Sequence, residues 1–325
     1  MLSKNKMKIL VMCPGSFTYG LDSPERGESR WSQNYAKMLA MAGHQVFAAS
    51  MGKPEPRSHY GVSLINEAEV TQYGPYDLYI DSSWWKDKLP KGKASKYVIL
   101  KWSLEEYTRE EPLADNLYLA HPYPSHRHEF INGVNANKTF ALPTMFGTVM
   151  ETPKWGNSKI FLPGKIDTNR DYQRFIPAIS QILTQYPVEG CSKDFFKKEL
   201  EPSVNFSKSD SYWYNLLPYN EVLESMKRCK INLPILNPGA IIEATFQGIP
   251  SIFWEHGGFY NPLAENLGVL IQHHAEPERF IEVINMTMKD KKTYHEILLT
   301  SQDYFSCHLY HNAIKYFNLM VNQIF

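Results

Sequence analysis

Four groups able to hold a proton stand beyond strand-like runs in the first half of the chain. They are Asp22, Glu105 and Glu106 in KWSLEEYTREE, and His121 in LAHPYPSHRHEF. A base that takes a proton from an attacking hydroxyl must be an Asp, Glu or His within hydrogen-bond reach of it. The order of preference is Glu106, Glu105, His121, Asp22, each weighed against an ordinary surface or capping role. In the second half, Asn237-Pro238-Gly239 runs into a helix pattern beginning near Ala240, with Glu243 on its first turns. The free N–H groups and positive dipole end of such a helix suit a diphosphate or sugar hydroxyls. His121, His126 and His128 in HPYPSHRH lack the companion Cys or carboxylates of a metal site, so no metal is expected. The spacing of Gly15, Gly20 and Gly27 is wrong for a dinucleotide turn, and no GxxxxGK[ST] is present, which counts against NAD-dependent oxidoreduction and P-loop chemistry.

The elements that must carry these residues alternate. KILVM at residues 8–12 is a short apolar run, PGSFTYGLDSPERG follows it, 28–42 is an amphipathic helix pattern ending at Gly43, and QVFAA is the next strand. A strand, loop, helix, strand order belongs to parallel α/β domains, whose ligands sit at the carboxyl ends of the strands. Further strand-like runs fall at 76–80, 97–100, 117–120 and 139–142. The polar stretch GTVMETPKWGNS at 147–158 reads as a hinge. A second alternation follows, with strands at 159–162, 231–235, 251–254 and 269–272, and helices at 170–186, 220–229, 240–247, 262–266 and 276–288. Residues 293–325 read as helices with Tyr304, Phe305, Tyr310, Tyr316 and Phe317 on a packing stripe. The predicted architecture is α/β: two Rossmann-like doubly wound domains facing across a cleft, residues 1–150 joined by 305–325, and residues 151–304.

Composition agrees with a two-domain chain, because 325 residues exceed the ~100 to 200 of one ordinary domain. With 34 Lys+Arg against 34 Asp+Glu the net charge is zero, so no global field draws the chain to nucleic acid or an anionic membrane. The four cysteines Cys13, Cys191, Cys229 and Cys307 are scattered, with no CxxC, which predicts reduced thiols and a cytoplasmic protein. The apolar run after the basic first residues is far shorter than a signal-peptide core or a membrane span, so neither is expected.

Residues 216–270 carry a pattern that resembles the nucleotide-binding domain of GT-B glycosyltransferases: LLPYNEVLESMKRCKINLPI, then NPGAIIEATFQGIPSIFWE, then HGGFYNPLAENLGVLI. The resemblance implies sugar transfer from a UDP-type nucleotide sugar, UDP-glucose or another, used as co-substrate with no resident cofactor. Glu243 in EATFQGIP matches the family glutamate that accepts hydrogen bonds from the ribose; the plain alternative is a solvated helix glutamate. Asn237, Gly239 and Ala240 would face the donor, while Gly248 and Pro250 end the helix and start a strand. Lys165 in FLPGKID, and Arg174 on the helix that follows, match basic positions that neutralise the leaving diphosphate; each is alternatively a surface charge. Tyr214 and Tyr219 in YWYNLLPY occupy the segment that encloses the base, and either stack on it or pack on the sheet. Many retaining members carry a second glutamate eight positions before Glu243, where this chain has Ile235, so the stereochemical outcome stays open. No Asp-x-Asp is present, which favours metal-independent transfer.

On the acceptor side, the loop bearing Gly15, Ser16, Gly27 and Arg30 resembles the glycine-containing loop of the same enzymes. IEATFQGIPSIFWEHGG, the aromatic C-terminal helix and the Tyr-, Asn- and Lys-rich usage are similar to phage enzymes that glucosylate hydroxymethylated cytosine in DNA, which would place the protein in a host cytoplasm. WWKDKLPKGKASK offers Trp84 and Trp85 as wedges beside a flipped base, and Lys91 and Lys93 as phosphate contacts. Double-stranded DNA is therefore the first acceptor expected. A glycan or small-molecule acceptor is the first alternative and a nucleotide-sugar epimerase of the same fold the second; a two-domain binding protein is disfavoured by the missing leader. The chain is expected to be a monomer or homodimer.

Overall fold

The computed structural model describes residues 6–15, 17–22, 27–52, 54–81, 93–100, 112–122, 135–163, 176–191, 202, 211–214, 217–234, 238–254, 269–271 and 276–325. The chain divides into two compact units, Met1–Thr148 with Cys307–Phe325, and Val149–Ser306.

The first unit is built on an eight-stranded sheet. Its strands are β1 (Lys8–Met12), β3 (Gln45–Ser50), β4 (Ser58–His59), β5 (Val62–Asn66), β6 (Tyr76–Asp81), β7 (Ala94–Leu100), β8 (Leu117–His121) and β9 (Thr139–Ala141), with a short β2 (Thr18–Leu21) between β1 and the first helix. The order is β4-β5-β3-β1-β6-β7-β8-β9, and every pairing is parallel except β4 with β5. Both faces are covered, which is why the strands read as continuous apolar runs. Ile9, Val11, Ala48, Ile80 and Val98 meet α1 (Gly27–Met41) and α8 (Tyr310–Ile324), whereas Leu10, Phe47, Ile65 and Tyr79 form a separate core on the opposite face. Helix α1 buries Trp31, Tyr35, Met38 and Leu39, one stripe at helical spacing. It stops where expected, at Gly43: the Gly43 N–H donates to Ala40 O at 3.0 Å and the His44 N–H to Leu39 O at 3.2 Å, a paired cap that needs the left-handed φ of 91° at the glycine. Helix α8 returns the chain end to this unit, as expected, seating Ile314, Phe317 and Met320 in the core.

The second unit orders its strands β12 (Tyr212–Tyr214), β11 (Val188–Cys191), β10 (Lys159–Pro163), β13 (Cys229–Asn232), all parallel, and an isolated bridge between Asn232 and Ser251 carries the pattern on to β14 (Ile252–Trp254) and β15 (Val269–Ile271). Helices α3 (Ile176–Gln185), α6 (Pro277–Lys289) and α7 (Lys291–Tyr304) cover one face through Ile179, Leu183, Phe280, Ile284 and Leu298. Helices α4 (Tyr219–Lys227) and α5 (Pro238–Phe246) cover the other through Met226, Ala240 and Ala244. Strands β2, β4, β5, β11 and β12 go beyond the sequence expectation. VEGC of β11 hid because a buried glutamate and a glycine break its apolar run. The predicted helix at 262–266 lies outside the described residues.

Candidate active site

In the second unit the carboxyl end of β13 delivers the chain to α5, an almost wholly apolar helix whose Ile241, Ile242, Ala244 and Phe246 are buried. Gly239 and Ala240 stand in its first turn and are buried as well. Glu243 lies one turn further on and is only 8% exposed, so it is not a solvated helix glutamate. The Asn232 side-chain amide donates to Ala240 O at 3.0 Å and Ser251 Oγ at 2.9 Å, tying the end of β13 to the start of both α5 and β14. Nothing in the sequence pattern had marked Asn232. Gly248 closes α5 with a φ of 76°, its N–H on Thr245 O and the Ile249 N–H on Ala244 O; a Cβ there would overlap Thr152 O, so the expected cap is also a point of close approach. Asn237, Lys165 and Arg174 lie outside the described residues.

Tyr219 is buried as the first residue of α4, and Tyr214 sits on the edge strand β12 with its ring parallel to Tyr212, centroids 6.1 Å apart. That pair borders a charge network absent from the sequence reading. The Glu189 carboxylate, 0% exposed, receives Lys159 Nζ at 3.0 Å, Arg228 Nε and Nη2 at 3.0 Å each, and the Ser225 hydroxyl. Burial pushes the Glu189 carboxyl up, but the bonds from Arg228, Ser225 and Lys159 outweigh it and hold the group below its ordinary range. A carboxylate so saturated anchors β10, β11 and α4 together and has no capacity left for a ligand.

In the first unit Gly15 follows the carboxyl end of β1 and Gly27 opens α1, while Arg30 is buried, its guanidinium on Gln33 Oε1 at 3.0 Å. Asp22 is 7% exposed and fully engaged, with Lys37 Nζ at 2.6 Å and the Tyr60 hydroxyl donating at 2.7 Å. His59 joins the same cluster by accepting the Leu21 N–H at 3.0 Å on Nδ1. Burial raises the Asp22 carboxyl, but Lys37, Tyr60 and His59 together bring it below its ordinary value. The arrangement clasps the segment after β2 to α1 and to the β4–β5 hairpin. His121, 3% exposed, ends β8, and its carbonyl accepts the Leu142 N–H at 2.8 Å. Lys93 precedes β7 and accepts the Tyr76 N–H on its carbonyl, which places it at the amino edge of the sheet, a strand length of roughly 17 Å from Gly15. The structure thus does not bring Lys93 together with Gly15 and Arg30. Glu105, Glu106, Ser16, Trp84, Trp85 and Lys91 lie outside the described residues.

One acidic residue of this unit was not singled out from the sequence. Asp81 is the last residue of β6, paired in register with Met12, the last residue of β1, and it is 8% exposed. The Tyr79 hydroxyl donates to its Oδ2 at 3.0 Å. Among the described residues, no group of three His, Cys, Asp or Glu side chains could hold a metal ion, and no helix is long and apolar enough to cross a membrane.

No protein-family description and no curated protein sequence matches the chain. Solved structures do. HepE of Anabaena, in complex with UDP and glucose, aligns with a TM-score of 0.64 at 13% identity over 97% of this chain and 99% of its own. WaaG, a glycosyltransferase of lipopolysaccharide biosynthesis, aligns with a TM-score of 0.60 at 14% identity over 97% and 99%. MnaA of S. aureus, solved with UDP, aligns with a TM-score of 0.65 at 14% identity over 97% and 98%. The fold of the chain is that of GT-B glycosyltransferases.

Proposed function

We propose that the protein is a glycosyltransferase that moves a sugar from a UDP-type nucleotide sugar to an acceptor hydroxyl. One observation carries the reading: the whole two-unit fold, over 97% of the chain, is shared with a protein crystallised with UDP and glucose. The second unit adds a helix N-terminus at the carboxyl end of β13 and, one turn on, a buried glutamate, an arrangement suited to a diphosphate and a ribose. Gly239, Ala240 and Glu243 would contact the donor, joined by Asn237, Lys165 and Arg174.

The acceptor is the finer question. Hydroxymethylated pyrimidine in duplex DNA remains a candidate on the sequence resemblance, but the described residues add no support: Lys96 lies 3.4 Å from the Tyr118 hydroxyl and over its ring, and Lys93 stands at the amino edge of the sheet. A glycan acceptor fits the same fold. The deciding experiment measures UDP release from UDP-glucose and other UDP-sugars with hydroxymethylcytosine DNA, unmodified DNA, a glycan panel or no acceptor. Release that depends on one acceptor class is the expected result and names that class. Absence of both UDP binding and UDP release would overturn the reading.

A further inference from the structure

In an open parallel sheet the ligand crevice lies where the strand order reverses, outside the carboxyl ends. In the first unit that point is fixed by topology: β1 has β3 on one side and β6 on the other, and the later strands β7, β8 and β9 run outward beyond β6. The carboxyl ends that flank the reversal belong to β1 and β6. They end on Met12 and Asp81, partners in register.

Asp81 is thus an acidic side chain, more than nine-tenths buried, at the switch point. Its charge is felt on both strands. Burial first, then Asp81, pushes up the Cys13 thiol just past the end of β1, and burial and Asp81 do the same to the Tyr79 phenol. The other described candidates for a base are placed differently. His121 ends β8, three strands from β1, about 14 Å away at ~4.8 Å per strand. Asp22 follows β2, which is no part of the eight-stranded sheet.

We propose that Asp81 is the general base on the acceptor side. The inference rests on the glycosyltransferase reading above. In the step, the acceptor hydroxyl oxygen forms its bond to the anomeric carbon of the donor sugar while its proton passes to the Asp81 carboxylate. The bond from the anomeric carbon to the diphosphate oxygen breaks, and UDP leaves with the electron pair. Asp81 then returns the proton to water. The Tyr79 hydroxyl, by donating to Oδ2, fixes the orientation of the carboxylate.

The test compares native protein, Asp81→Asn and Tyr79→Phe in the UDP-release assay across pH, with UDP binding measured separately. Asp81→Asn should bind UDP as native does, lose about 10²- to 10⁴-fold in kcat, and lose the acidic limb of its pH profile. Tyr79→Phe should lower kcat and move the acidic limb of kcat/KM to higher pH, because the carboxylate has lost the donor that orients it. Native kcat and an unchanged limb in Asp81→Asn overturn the assignment. If that variant does not fold, an acidic limb that stays put in Tyr79→Phe overturns it instead. Native protein that neither binds nor releases UDP sinks the glycosyltransferase reading and this inference together, whereas native turnover with unaffected variants sinks this inference alone.

Discussion

Two buried glutamates in the second unit carry different burdens. Glu189 is saturated by Lys159, Arg228 and Ser225 and works as a clamp between strands and helix. Glu243 sits on a helix that is otherwise apolar nearly all round, at the carboxyl end of the sheet. If it accepts hydrogen bonds from a ribose, Glu243→Ala removes a charge-assisted bond of about 1.5–3 kcal/mol, which weakens UDP binding by roughly 10- to 150-fold. Calorimetric titration with UDP reads this directly, alongside a thermal melt to establish that the variant folds. Native affinity in a folded variant would take Glu243 out of the donor site.

The joins between elements depend on groups far apart in sequence. Trp31 of α1, Phe146 and His308 meet edge to face, with centroids 5.1 to 5.6 Å apart, and the His308 Nδ1–H donates to Thr144 O at 2.8 Å. Burial pushes His308 down to about 4, against the opposing pull of the Thr144 bond. The sign for stability follows from linkage: the unfolded chain takes up a proton below its ordinary value near ~6.5, while the folded chain resists until about 4. His308 therefore contributes stability that is complete above pH ~6.5 and is lost as pH falls toward 4, a change on the order of 3 kcal/mol. Denaturant melts from pH 7 to 4 should show this slope in the native protein and a flatter one in His308→Gln. Equal slopes would mean that other groups control acid stability.

At the scale of the whole molecule, the chain end closes the unit that its beginning opened. Helix α8 places Ile314, Phe317, Met320, Val321 and Ile324 in the core of the first unit. Each such burial is worth about 1.5–3 kcal/mol, so the five together are comparable to the ~5–15 kcal/mol that holds a typical domain folded. Deleting residues 310–325 should therefore leave the first unit unfolded or insoluble, with the second unit free to keep its own core. A truncated chain with a native circular-dichroism melt would show that α8 is an accessory and not part of the core.

The amino-acid sequence by itself determined the parallel α/β class, the central strands β1, β3, β6, β7 and β8, and helix ends at Gly43 and Gly248, because side-chain periodicity and glycine caps act within a few residues of one another. The stretch around Glu243 stood out through the resemblance of EATFQGIP to a family segment. Tertiary structure decided the rest. Asp22 meets Lys37 and Tyr60, 15 and 38 residues away, and Glu189 meets Arg228 39 residues on; neither pairing leaves a local pattern. Asp81 stands just past the strand-like run at 76–80 and carries no local signal; strand order sets it beside β1. Which carboxylate is tied to distant partners and which ends a strand at the reversal of strand order is a property of long-range register, and local spacing carries no record of it.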